Sequence, residues 1–134
     1  MNYEQARAYA VNVSRSGSIL GLDSIENLMH ELGDIQERLK IIHIAGTNGK
    51  GSTGAYLERV LIEAGYRVGR YSSPAVFDPM EVWRINLQSM SHEEYADIME
   101  QVKCACDRMV EKGMEHPTIF EVETAMAFLY FYQK

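Results

Sequence analysis

The stretch Lys40-Ile-Ile-His-Ile-Ala-Gly-Thr-Asn-Gly-Lys-Gly-Ser-Thr53 reads as an apolar strand running into a glycine-rich loop and then a helix, the arrangement that binds nucleotide phosphates. Ile41, Ile42, Ile44 and Ala45 form a nearly continuous apolar run, which predicts a buried strand covered on both faces in a parallel sheet. Gly46, Gly49 and Gly51 let the backbone come close to a ligand, so that successive amide N–H groups can converge on an anion. Lys50 adds a mobile positive charge beside them. The helix expected from about Ser52 to Ala64 turns its N-terminal partial charge toward the same point. The match to the general pattern G-x-x-x-x-G-K-S/T is incomplete: Ile44 stands where the first glycine belongs, and Gly51 stands where a hydroxyl should follow the lysine.

Working outward from the loop, helices and strands alternate. Asn2 with Gln5 makes a capping box that opens a first helix through Ala6, Tyr9, Ala10 and Val13, and Ser14-Arg-Ser-Gly-Ser18 breaks it. Ile25, Leu28, Met29 and Leu32 form the stripe of a second helix buried on one face, stopped at Gly33. After the loop helix, which should end near Gly65, Arg67-Val-Gly-Arg-Tyr71 predicts a short strand, followed by a loop-rich stretch to about Asn86. Strand, loop, helix and strand in that order imply a right-handed crossover between parallel neighbours. Ser91 with Glu94 caps a long helix whose stripe runs through Tyr95, Ile98, Met99, Val102, Met109 and Val110 as far as Lys112, with Gly113 interrupting it. Thr118 with Glu121 caps a last one bearing Phe120, Ala125, Phe128, Leu129 and Tyr132. The expected fold class is α/β, a P-loop NTPase-like three-layer parallel sheet, incomplete at the C-terminal end.

Composition bounds what the chain can be. It has 134 residues, 46% hydrophobic and 24% charged, the size and make-up of one ordinary globular domain. No apolar run is long enough to cross a bilayer and no basic-then-apolar leader follows Met1, so the expected location is cytoplasmic. A net charge of −6 argues against nucleic acid or anionic membrane as a partner. Cys104 and Cys106 lie about 200° apart around a helix axis, with no second cysteine pair or histidine cluster to complete a metal site. They read as ordinary reduced thiols. His43 reads as part of the buried strand, His30 and His92 as helical, and His116 as part of a connection.

Gly46-Thr-Asn-Gly-Lys-Gly-Ser52 resembles the phosphate loop of folylpolyglutamate synthase and dihydrofolate synthase, within the Mur ligase superfamily. The cell-wall ligases of that superfamily follow the lysine directly with a hydroxyl residue, whereas the folate enzymes insert a glycine, as Gly51 does here. Leu20-Gly-Leu-Asp-Ser-Ile-Glu-Asn-Leu28, Tyr71-Ser-Ser-Pro74, Arg84-Ile-Asn86 and Thr118-Ile-Phe-Glu121 fall in the family's order, so the resemblance covers essentially the whole chain.

The resemblance implies an amide ligation driven by ATP and Mg²⁺: a carboxylate of folate or dihydropteroate is phosphorylated, and the amine of L-glutamate displaces phosphate. It implies that Gly46, Thr47, Asn48, Gly49, Lys50, Gly51, Ser52 and Thr53 hold the phosphates, with Lys50 as the catalytic cation. It makes Ser73 a magnesium ligand, and Leu20, Gly21, Leu22, Thr118 and Phe120 the lining of a pterin site. Taken alone, Ser73 is a turn residue, Leu20 and Leu22 are core, and Thr118 is a helix cap. The segment from Ala75 to Arg84 is expected to close over the pterin site. It departs from the family there, reading Met80-Glu-Val-Trp83 where arginines are common. In the family a further parallel strand carries the partner magnesium ligand, a glutamate. Residues 1–134 therefore read as a single partial N-terminal ATP-binding domain, inactive and a poor magnesium binder alone, with self-association expected to cover its exposed edges. Two other readings stay open: another Mur-type ligase, or a standalone nucleotide-binding module with no reaction of its own.

Overall fold

A computed structural model describes the chain apart from residues 16–20, 47, 74 and 76. Leu20 and Thr47, expected in the pterin and phosphate sites, lie outside the described residues. The fold is mixed α/β and divides into two compact units, residues 1–39 with 92–134, and residues 40–91.

The first unit is helical. It holds α1 (Tyr3–Ser14), α2 (Asp23–Glu31), a 3₁₀ turn (Ile35–Arg38), α4 (His92–Glu111) and α5 (Ile119–Gln133). The Asn2–Gln5 and Thr118–Glu121 capping boxes both form, each satisfying backbone N–H groups that a helix start leaves without carbonyls. Leu28 and Met29 on α2 face the core. On α4, Tyr95, Ile98, Met99, Val102, Ala105, Cys106 and Met109 are buried at helical spacing. Val110, expected on that stripe, is instead exposed, since it lies one residue past Met109 and so turns about 100° away. The helix ends at Gly33 and Gly113 appear as expected, with positive φ of 91° and 86°.

The second unit holds α3 (Lys50–Glu63), β1 (Gly69–Tyr71), a 3₁₀ turn (Pro79–Val82), β2 (Trp83–Ile85) and β3 (Gln88–Ser89). Its three strands form one antiparallel sheet in the order β1-β2-β3, with Tyr71 opposite Trp83, Arg70 opposite Arg84, and Ile85 opposite Gln88. The parallel pairing expected between the strands at about 40–45 and 67–71 is not seen among the described strands. Residues 40–46 carry no strand pairing, and Ile41 and Ile42 are 55% and 62% exposed, with His43 exposed beside them. Apolarity states a preference for burial, but a strand exists only where a neighbour supplies its ladder of hydrogen bonds, and none of the described strands does so here.

The stretch expected as loop to Asn86 contains a hairpin. Asn86 and Leu87 form its two-residue turn with φ of 47° and 71°, the positive pair that matches the twist of tight hairpins. Asn86 also ties β1 in place: its Oδ1 accepts from Val68 N at 2.8 Å and its N–H donates to Val68 O at 2.8 Å. Met80, Val82, Trp83 and Met90 are the buried apolar residues of this unit among those described.

The two cysteines part as the helical spacing requires, Cys104 exposed and Cys106 buried. Desolvation pushes the Cys106 thiol up to about 12. At neutral pH, iodoacetamide is therefore expected to alkylate Cys104 and spare Cys106 until denaturant is added, as read by peptide mass spectrometry. Equal labelling of both thiols in the folded chain would contradict this placement of α4.

Candidate phosphate-binding site

Helix α3 begins immediately after the loop. Its N-cap is Gly49, in the left-handed region at φ 76°, with no side chain capping the end. The first backbone bond that closes the helix runs from Thr53 N to Gly49 O at 2.9 Å. The amides of Lys50, Gly51 and Ser52 precede that bond and so have no carbonyl one turn back within the helix. All three residues are exposed, and Lys50 stands at the first helical position. The sequence grouped Thr53 with them, but its amide is consumed by the helix, leaving only its hydroxyl for a ligand.

A polar seam fixes the other side of this helix start. Positions 51, 54 and 58 share one face of α3 by their spacing of three and four. Gly54 and Glu58 are the buried residues of α3, with Glu58 3% exposed. Glu58 Oε1 accepts from Arg70 Nη1 on β1 at 3.3 Å and from Arg84 Nη2 on β2 at 3.0 Å. Arg70 Nη2 also donates to the Gly51 carbonyl at 3.1 Å. A Cβ on Gly54 would sit 3.1 Å from that guanidinium, so the glycine is what lets the arginine lie against the helix. Glu58 Oε2 and Arg84 Nε are buried without a partner among the described residues. Arg70 and Arg84 also border a cleft of about 310 Å³ together with Ser72, Glu81 and Ser89.

The remaining expected site residues fall as follows. Ser73 is exposed, two residues past the end of β1. A neutral, exposed hydroxyl does not make a magnesium site, and no group of three His, Cys, Asp or Glu side chains able to hold a metal exists among the described residues. Gly21 and Leu22 precede α2, Leu22 being 69% exposed rather than core, and Phe120 is 64% exposed on the first turn of α5. Thr118 is buried and occupied: its hydroxyl donates to Glu121 Oε1 at 3.1 Å and accepts from Glu121 N at 3.3 Å.

The sequence reading missed the polar partners of both segments. Glu58, Arg70 and Arg84 are one set. The other is His116, whose Nδ1 lies 2.7 Å from the Pro117 carbonyl. A carbonyl can only accept, so Nδ1 carries a proton, and in the neutral ring Nε2 then accepts from the Tyr9 hydroxyl at 2.6 Å. This chain ties α1 to the residues that precede Thr118. A signal for the first set did exist, since a glycine and a glutamate occupy the face of α3 where apolar residues would be expected.

Comparison with known proteins bears on this geometry. No family model matches the chain. The dihydrofolate synthase/folylpolyglutamate synthase of Bacillus subtilis is 37% identical over 129 residues, covering 96% of this chain and 30% of that protein. The folylpolyglutamate synthase of Thermotoga maritima superposes with a TM-score of 0.88 at 36% identity, over 98% of this chain and 30% of its own. The chain is homologous to the folylpolyglutamate and dihydrofolate synthases. A bifunctional enzyme of this kind, solved with Mn, AMPPNP and L-glutamate bound, matches at a TM-score of 0.83 and 33% identity over 99% of this chain. The chain spans less than a third of the length of these folate-ligase relatives.

The seam makes one substitution diagnostic. Gly54→Ala would stabilise an ordinary helix by roughly 1 kcal/mol. Here the methyl meets a guanidinium already held by Gly51 O and Glu58, so urea unfolding is expected to show net destabilisation. A more stable variant would show that Arg70 is free to move aside.

Proposed function

We propose that this chain is the ATP-phosphate-binding part of an ATP-dependent ligase that adds L-glutamate to folate or dihydropteroate through an acyl phosphate. The observation that carries the reading is the set of amides at Lys50, Gly51 and Ser52, presented with the lysine at an uncapped helix start. Transfer of a phosphoryl group asks mainly for positioning and charge neutralisation, which such a set can supply. Gly46, Asn48, Gly49 and the Thr53 hydroxyl complete the cradle, with Thr47 between them. Homology to enzymes whose names and bound ligands include folate, an ATP analogue, manganese and L-glutamate supports the assignment.

In this reading Gly21, Leu22, Thr118 and Phe120, with Leu20, contribute to the pterin site. Phe120 offers an exposed aromatic face to a flat ring, while Thr118 shapes the site through the α5 cap. Ser73 would be one ligand of a magnesium ion whose remaining ligands come from elsewhere, because the described residues do not form a metal site unaided. Residues 40–46 would join a parallel sheet of the P-loop type in a longer protein of the relatives' size, where further strands supply the missing ladder. In that arrangement residues 1–134 form one partial domain. No helix among the described residues is long and apolar enough to cross a membrane. The exposed Ile41, Ile42, Tyr56 and Val60 are the residues through which the 134-residue chain alone would self-associate.

Isothermal titration with MgATP tests the reading. Wild type is expected to bind, and Lys50→Ala to weaken binding by at least about tenfold, the size of one charge-assisted contact. A folded wild type that gives no heat, or a Lys50→Ala variant of equal affinity, would contradict it.

A further inference from the structure

The peptide between Gly51 and Ser52 is held at one end and offered at the other. Its carbonyl accepts from Arg70 Nη2 at 3.1 Å, while its N–H, that of Ser52, is the last of the three amides at the helix start without a helical carbonyl. Carbonyl and N–H of one peptide share a conjugated system, so a cation on the oxygen draws electron density from the nitrogen and makes the N–H a stronger donor. Arg70 is not free to leave. Glu58, 3% exposed, grips the same guanidinium, and the missing side chain at Gly54 lets it lie flat against α3. Arg84 holds the carboxylate from the neighbouring strand.

We propose that Arg70 is a positioning residue for nucleotide phosphate: clamped by Glu58, it orients and polarises the Gly51–Ser52 peptide so that the Ser52 N–H binds the anion more strongly. The proposal rests on the phosphate-loop reading. It concerns a residue outside the loop, 18 positions after Ser52 in the sequence, whose effect on the ligand passes through the peptide bond.

Two measurements on the full 134-residue chain test it. The first is the Ser52 amide proton in a ¹H–¹⁵N correlation spectrum of the nucleotide-free protein, in wild type, Arg70→Gln and Arg70→Lys. Loss of the guanidinium should move this resonance upfield, a response that general loosening of the fold would not confine to Ser52 and its neighbours. The second is the MgATP dissociation constant, expected to rise about tenfold in Arg70→Gln, as for one charge-assisted hydrogen bond. Arg70→Lys keeps the charge beside Glu58 and carries the test if Arg70→Gln does not fold. If wild type ignores MgATP, the phosphate-loop reading falls and this proposal falls with it. If wild type binds and Lys50→Ala does not, but the Arg70 variants keep wild-type affinity or an unmoved Ser52 amide, the reading stands and this proposal alone is overturned.

Discussion

The second unit depends on one buried carboxylate. Glu58 is the buried side chain through which α3 meets the sheet, and it does so through charge. Taking a carboxylate out of water costs several kcal/mol, which only close counter-charges and hydrogen bonds can offset. Arg70 and Arg84 sit opposite each other on β1 and β2, so strand register and helix attachment are set by the same three side chains. Asn86 adds the hairpin turn to this arrangement by closing two hydrogen bonds to Val68.

A polar seam does something here that an oily one would not. Apolar packing tolerates sliding and repacking, whereas a guanidinium shared between Glu58 and the Gly51 carbonyl fixes one rotation of the helix about its axis. That rotation decides where the amides of Lys50, Gly51 and Ser52 point. Elsewhere on α3, Leu57, Leu61 and Ile62 are half-buried, while Tyr56 and Val60 are 75% and 63% exposed, so Gly54 and Glu58 are its fully buried positions. The first unit is built on the opposite principle, an apolar core of α1, α2, α4 and α5 in which the fully buried polar side chains, among the described residues, are Thr118 and Glu121 of the α5 cap.

What was legible in the sequence was local. The capping boxes at Asn2 and Thr118, the helix stops at Gly33 and Gly113, and the helix start at the phosphate loop are short-range chemistry, and each appears where its residues predict. What was not legible needed partners. The apolar run from Ile41 to Ala45 names no neighbour, and its pairing cannot be read from its own residues. The β2–β3 hairpin was hidden because Leu87 occupies a positive-φ position that glycine normally marks. The Glu58 contacts span 12 and 26 residues, and each member taken singly looks like a surface charge. The family resemblance was legible in the loop because Gly51 is a one-residue departure from the general pattern, and homology over nearly the whole chain agrees with it.

Glu58 and its arginines act as one unit that attaches α3 to the sheet. A double-mutant cycle of Glu58→Ala with Arg84→Ala, followed by denaturant unfolding, measures this directly. A coupling of at least about 1.5 kcal/mol is expected, as for residues in one buried network. Additive effects, with a coupling near zero, would contradict it.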